Sequence, residues 1–142
     1  MKISTRGRYA LRVMVDLAEQ RSVEFVPLKE IALRQDISQK YLESIMADLS
    51  KAGLLEGQHG KGGGYRLNRE PSDYSVGEIL RLTEGDLAPV ACLEKNAKAC
   101  PRIATCKTIK MWKDFFKLTN EYFDGITLAD LTSSDGGDNY II

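Results

Sequence analysis

Between Pro27 and Asn68 the apolar residues change their period twice, and few folds accept that order. Leu28, Ile31 and Ala32 share one face of a short helix that Pro27 opens and that runs through Arg34. Gln35-Asp36-Ile37 interrupts it. Ser38 stands as the N-cap of a second helix to Lys51, whose Leu42, Ile45, Met46 and Leu49 make a buried stripe. Gly53 sits where a left-handed residue closes a helix. Two helices across a three-residue turn form a helix-turn-helix. Residues 54–58 and 64–68 then read as two short strands around the loop His59-Gly60-Lys61-Gly62-Gly63. The expected fold is mainly α with a small β-hairpin wing: a winged helix-turn-helix.

In such a unit the second helix enters the DNA major groove by its N-terminal end. The exposed positions there are Gln39, Lys40, Glu43 and Ser44, flanked by Ser38 and Tyr41, and the six form a candidate DNA-contacting set. Gln pairs bidentately with adenine, Lys reaches guanine acceptors, and Glu accepts from cytosine N4. A carboxylate near phosphates is repelled unless it meets a donor, which gives Glu43 a discriminating role; the plainer alternative is a solvated surface Glu.

The glycine-rich loop invites comparison with a phosphate-binding loop. That motif needs Gly, four residues, then Gly-Lys-Ser/Thr. Here Gly62 follows Gly60-Lys61, and position 55 is Leu, so the match fails twice. As a wing the loop makes sense: Gly62 and its neighbours let the backbone approach DNA, while His59, Lys61 and Arg66 offer donors to phosphate or minor groove. His59, the single histidine of the chain, is placed as a DNA contact or a solvent-exposed residue rather than a metal ligand.

Upstream, Tyr9, Ala10, Val13, Met14, Leu17 and Ala18 form a helical stripe that Ser4 or Thr5 is placed to cap. The opposite face carries Arg6, Arg8 and Arg12, read either as a solvated face or, for Arg6 and Arg8, as phosphate contacts. The net charge of zero argues mildly against a DNA binder. Its distribution softens this: residues 1–72 hold 12 Lys/Arg against 9 Asp/Glu, and residues 73–142 hold 8 against 11. The phosphate-facing end is therefore N-terminal, and binding is expected to be modest and salt-sensitive in a monomer. No apolar h-region follows the basic N-terminus and no run is long enough for a membrane helix, so a cytoplasmic location without membrane association is expected.

Ser75-Val76-Gly77-Glu78 reads as a capping box on a helix to Leu82 or Thr83. Residues 84–103 lose all periodicity and contain Gly85, Pro89 and Pro101, so they form a functional loop. From about Ala104 a long helix carries Ile109, Trp112, Phe116, Thr119 and Phe123 at steps of three and four, widened by Phe115 and Tyr122. A small wing domain cannot bury such a rod, which makes it a C-terminal dimerisation helix; the alternative is a helix folded back on its own chain. Thr127-Leu128-Ala129-Asp130 caps a short last helix. The expected organisation is a winged-helix domain over 1–83, a cysteine-bearing loop over 84–103, the dimerisation and final helices over 104–131, and a disordered tail over 132–142.

All three cysteines, Cys92, Cys100 and Cys106, fall in or beside that loop. Their spacings of seven and five intervening residues are too wide for a zinc knuckle and suit a bulkier cluster. Lys95, Lys98, Arg102, Lys107 and Lys110 would offset the charge of a thiolate-ligated iron–sulfur centre, and Cys100-Pro101 matches a step seen in ferredoxin ligation. Cys106 is expected in the first turn of the long helix, where the helix dipole favours a thiolate. Three thiolates are one short of four. Glu94, Asp114, a partner subunit, a small molecule or solvent could complete the set.

These residues together resemble the iron–sulfur winged-helix regulators of the IscR, NsrR and RirA type. The resemblance rests on residues 4–10 (Ser4 to Ala10), Pro27-Leu28 with Ile31-Ala32, Ile37-Ser38 with Tyr41-Leu42-Glu43, and Leu49 with Lys51-Ala52-Gly53-Leu54. Residues 60–65 (Gly60 to Tyr65) and 75–79 (Ser75 to Ile79) complete it, and it spans residues 1 to about 131. It implies a homodimer on a near-palindromic double-stranded DNA operator, with a [2Fe-2S] or [4Fe-4S] cluster held by Cys92, Cys100 and Cys106. Some members add a histidine soon after the third cysteine, where this chain has Ile109; others use an acidic residue of the partner's first helix, where this chain has Arg8. The fourth ligand does not carry over, which would leave the cluster more open to oxygen or nitric oxide.

The expected function is thus a sequence-specific transcriptional regulator, a repressor, that is not an enzyme and senses cluster, redox or nitric oxide status. One alternative is the same winged helix sensing zinc or thiol oxidation without a cluster. The other, of a different class, is a small iron–sulfur electron carrier.

Overall fold

The computed structural model describes residues 1–132. Its helices are α1 (Thr5–Glu19), α2 (Leu28–Gln35), α3 (Gln39–Lys51), α4 (Val76–Glu84), α5 (Ile109–Asp124) and α6 (Leu128–Thr132), and its one hairpin is β1 (Leu55–Gln58) with β2 (Gly64–Leu67). The expected tail lies outside the described residues except for Thr132, which closes α6.

Helix α1 is the trunk. Ala10, Val13 and Met14 have no exposed surface, and Leu17 scarcely any, against Ile31, Leu42, Ile45 and Met46 of α2 and α3. Ser4 is the residue that caps it, accepting from the Gly7 N–H at 3.1 Å. Asp16, buried on the trunk, binds the Arg34 guanidinium at two points (2.8 and 2.9 Å) and accepts from the Gln35 side-chain amide at 2.9 Å. That bolts α2 to α1. Pro27 is the N-cap of α2 rather than its first residue, and Asp36 ends the helix in the left-handed region at φ 53°. An Asp tolerates this conformation better than most side chains.

The wing pairs Leu55 with Leu67 and Gln58 with Gly64 in antiparallel register. It gains a further pairing, outside the hairpin itself, that the hairpin pattern did not announce. The Val26 N–H donates to the Tyr65 carbonyl at 2.8 Å and the Tyr65 N–H to Val26 at 2.9 Å. A Cβ at Gly64 would collide with the Val26 carbonyl, so only glycine permits this approach. Tyr74, fully buried, locks the wing base. Its hydroxyl donates to the Leu54 carbonyl at 2.8 Å and accepts from the Asn68 and Arg69 N–H groups at 3.1 Å each. Burial pushes its phenol pKa up.

Two sequence expectations change. Ser75 caps α4 through the Glu78 N–H (3.0 Å), but the Glu78 carboxylate pairs with Arg69 instead of completing a capping box. Helix α5 starts at Ile109, several residues later than the pattern suggested, because turns at Ile103 and Thr105 occupy the preceding stretch. The stripe on α5 is also divided. Phe116 and Phe123 pack on Val76, Leu80 and Leu87 of this same chain, and Arg81 clamps Asp124 (2.7 and 2.9 Å). A second apolar row, Met111, Phe115, Leu118 and Tyr122, lies exposed at 42 to 64%. Among the described residues no helix is long and apolar enough to cross a membrane.

Candidate DNA-reading face and cysteine site

Helix α3 presents its N-terminal turn because its buried stripe points the other way. Ser38 caps that turn by accepting from the Tyr41 N–H at 3.2 Å. Gln39, Lys40 and Glu43 are exposed, and their side chains make no hydrogen bond or ion pair among the described residues. Opposite stands the wing tip, where His59 and Lys61 are likewise exposed. Between them lies an open cleft of about 650 Å³ whose lining includes Lys29, Gln39, Glu43, His59 and Tyr65. Lys29 was missed by the sequence reading; its place two residues after Pro27, on the first turn of α2, was the available signal.

Other candidates are already engaged. Arg6 donates to the Ser44 carbonyl and hydroxyl at 3.1 Å each and pairs with Asp48. Tyr41 lies half-buried under Arg6 and edge-on to Tyr9, with ring centroids 5.8 Å apart. Arg66 binds Glu56 at 2.7 Å and stacks on Phe25, so it braces the wing base. Arg8 remains exposed, with one bond to the Thr5 hydroxyl at 3.1 Å. Arg12 faces the turn, donating to Gln35 and stacking on Tyr9. Solvent-facing donors therefore come from both helices of the motif and from the wing tip, while Arg6, Tyr41, Ser44 and Arg66 set the frame around them.

The cysteine segment wraps from Gly85 to Thr108. Cys92 is exposed in a single tight turn, Ala91–Leu93. Cys100 and Cys106 are half-buried. Cys106 lies just before α5 rather than within its first turn, with Sγ 3.5 Å from the Thr108 hydroxyl. That hydroxyl, then the Thr108 and Ile109 N–H groups, holds its pKa below the ordinary thiol value. The first-turn position expected for Cys106 is thus corrected: its thiol is lowered first by the Thr108 hydroxyl, from outside the helix.

Among the described residues no three His, Cys, Asp or Glu side chains converge as a metal-holding group. Glu94, one proposed fourth ligand, is exposed; Asp114, the other, pairs with Lys110 at 2.7 Å. The donor set itself, three unpaired thiols among lysines and arginines, suits a thiolate-ligated cluster. The segment would have to draw those thiols together.

The family model "Rrf2: Iron-dependent Transcriptional regulator" matches residues 3–134. Protein rrf2 of Nitratidesulfovibrio vulgaris is 41% identical over 131 residues, which cover 92% of this chain and 87% of that one. The HTH-type transcriptional regulator CymR of Bacillus subtilis is 36% identical over 138 residues, 97% and 94% of the two chains. IscR of Aliivibrio salmonicida is 36% identical over 131 residues, 92% and 77%. Among solved structures, CymR, the global cysteine regulator of B. subtilis, superposes with a TM-score of 0.76 at 34% identity, covering 94% and 97% of the chains. T. potens IscR does so with a TM-score of 0.75 at 37% identity, covering 100% and 93%.

Proposed function

The chain belongs to the Rrf2 family of transcriptional regulators, and from that premise we propose that it is a cluster-dependent repressor acting as a homodimer on a near-palindromic operator. It is a DNA-binding winged-helix protein, not an enzyme. The observation that carries the reading is the open cleft between α3 and the wing, with unengaged Gln39 and Glu43 on one wall and His59 on the other, and Lys40 exposed beside it on the same turn of α3. Gln39, Lys40 and Glu43 reach base edges; Ser38, Tyr41 and Ser44 fix the helix end at the backbone. Arg8, His59, Lys61 and the Gly62 backbone meet phosphate or the minor groove, and Arg6 and Arg66 hold the two walls at their spacing.

Cys92, Cys100 and Cys106 would hold an iron–sulfur cluster, which supplies a redox-active centre open to oxygen and nitric oxide. The protein's part is to close the segment from Gly85 to Thr108 around it and to offset its charge with Lys95, Lys98, Arg102 and Lys107. A change in that segment can alter DNA affinity only by its free-energy difference between the two states, about 1–3 kcal/mol or a factor of roughly 5–150.

A second reading is favoured by the separated thiols and by the acidified Cys106. Here the same regulator responds to zinc or thiol oxidation without a cluster. An electron carrier finds no support in a chain with a helix-and-wing cleft.

One experiment separates these readings. An operator is selected from a random duplex pool by protein purified without air. Its affinity is then compared for that protein and for the same protein after chelation, alongside iron and acid-labile sulfide assays. A coloured, sulfide-containing protein whose affinity changes on chelation supports the lead reading. A colourless protein with affinity indifferent to Cys→Ser changes at all three positions ends it.

A further inference from the structure

Two carboxylates flank Gly85 and face opposite partners. Glu84, the last residue of α4, closes on the start of α1: the Ser4 N–H donates to it, and so does the Ser4 hydroxyl at 3.0 Å. Gly7 lies so near that a Cβ there would press on the Glu84 carboxylate and the Thr83 hydroxyl. Asp86 turns the other way. It accepts from the Ala88 N–H at 3.0 Å and from the Lys95 N–H at 2.8 Å, so one side chain closes the stretch that carries Cys92. Gly85, at φ 76° and ψ −142°, sits in a backbone region essentially restricted to glycine. Nothing stands within 4 Å of where its Cβ would be, so the backbone angle alone demands glycine.

Two residues beyond Ser4, the Arg6 guanidinium reaches α3 at Ser44 and Asp48. Every step from the Cys92 stretch to the recognition helix is thus a covalent bond or a hydrogen bond: Asp86, Gly85, Glu84, Ser4, Thr5, Arg6, Ser44.

We infer that Glu84-Gly85-Asp86 is a joint that conveys rearrangement of the Cys92 stretch to the recognition helix, with Glu84 and Arg6 as positioning residues for DNA reading. This rests on the cysteines being the sensor, but the joint can be tested without DNA or cofactor. When the thiols draw together, Asp86 leaves its two N–H donors and Gly85 is free to rotate. Glu84 then slackens on Ser4, and Arg6 carries the shift to Ser44 and Asp48.

Amide hydrogen exchange on the full chain reads this directly. Glu84→Ala is expected to speed exchange at least about threefold over residues 39–48, as well as in the first turn of α1. Helix α2, held to the trunk independently by Asp16, should not change. Arg6→Gln should act alike on residues 39–48, and the double variant should exceed neither single variant. Ser4→Thr, which keeps the hydroxyl, should match wild type, whereas Ser4→Ala, which loses the hydroxyl bond and the α1 cap but keeps the N–H bond to Glu84, should speed exchange over residues 39–48 by less than Glu84→Ala; Ser4→Thr and Arg6→Gln carry the test if Glu84→Ala fails to fold. Acceleration confined to α1 and residues 85–95, or a double effect equal to the product of the singles, overturns the joint.

A second arm measures affinity for the selected operator before and after chelation. A wild-type difference that Glu84→Ala abolishes supports the joint, and one that survives unchanged overturns it. Equal wild-type affinities sink the sensor reading instead, and the exchange result then decides the joint alone.

Discussion

Cys106, half-buried, keeps a depressed pKa because the Thr108 hydroxyl and two backbone N–H groups face its sulfur and outweigh the opposing effect of burial. Its thiolate therefore forms at lower pH than an ordinary thiol. In chelator-stripped protein, the pH midpoint for Cys106 alkylation, followed by peptide mass spectrometry, should lie below that of a free thiol. Thr108→Val should move it upward. At the wing base, Tyr74→Phe leaves the Leu54 carbonyl without its donor and should cost about 1–3 kcal/mol in denaturant unfolding. Single residues were legible in the sequence where a local rule governed them. Ser38 as a cap, and Gln39, Lys40 and Glu43 as the outward turn, follow from helical spacing alone. Arg6, Ser44 and Arg66 did not, because their roles depend on partners distant in the chain: Asp48, Arg6 itself and Phe25.

At the scale of elements, the hairpin was legible from its glycines, but its attachment to Val26 was not. A single isolated bridge leaves no periodic trace. It does leave a testable asymmetry among the wing glycines. Gly62→Ala meets no neighbour and strains only its φ of 78°, so it should cost about 1–2 kcal/mol. Gly64→Ala must push the wing away from Val26, and should cost more and weaken operator binding as well. Comparing the two by thermal unfolding and by DNA titration checks this ordering. Helix α5 was readable as a long amphipathic helix, though its start was set too early. Its stripe reads as one surface, because a row at three-and-four spacing does not say which neighbour claims it. Val76, Leu80 and Leu87 claim Phe116 and Phe123, and the row through Leu118 is left outside.

At the scale of the whole molecule, that outer row is the surface on which the proposed homodimer would close. Leu118→Glu should shift the chain to monomer in sedimentation equilibrium. The winged-helix core should keep its unfolding midpoint, since Leu118 is 64% exposed and packs on nothing within the core. Operator affinity should fall at the same time, with a shallower salt dependence, as one set of phosphate contacts replaces two. The winged-helix class was legible from pattern alone because each local signal agreed with the global fold.

The uncovered row on α5 also has a meaning for dosage. If only paired chains grip the operator, then at low copy number the gripping species grows with the square of the amount made. Halving synthesis would quarter occupancy, and the regulated genes would respond to a small drop in this protein as though to a large one.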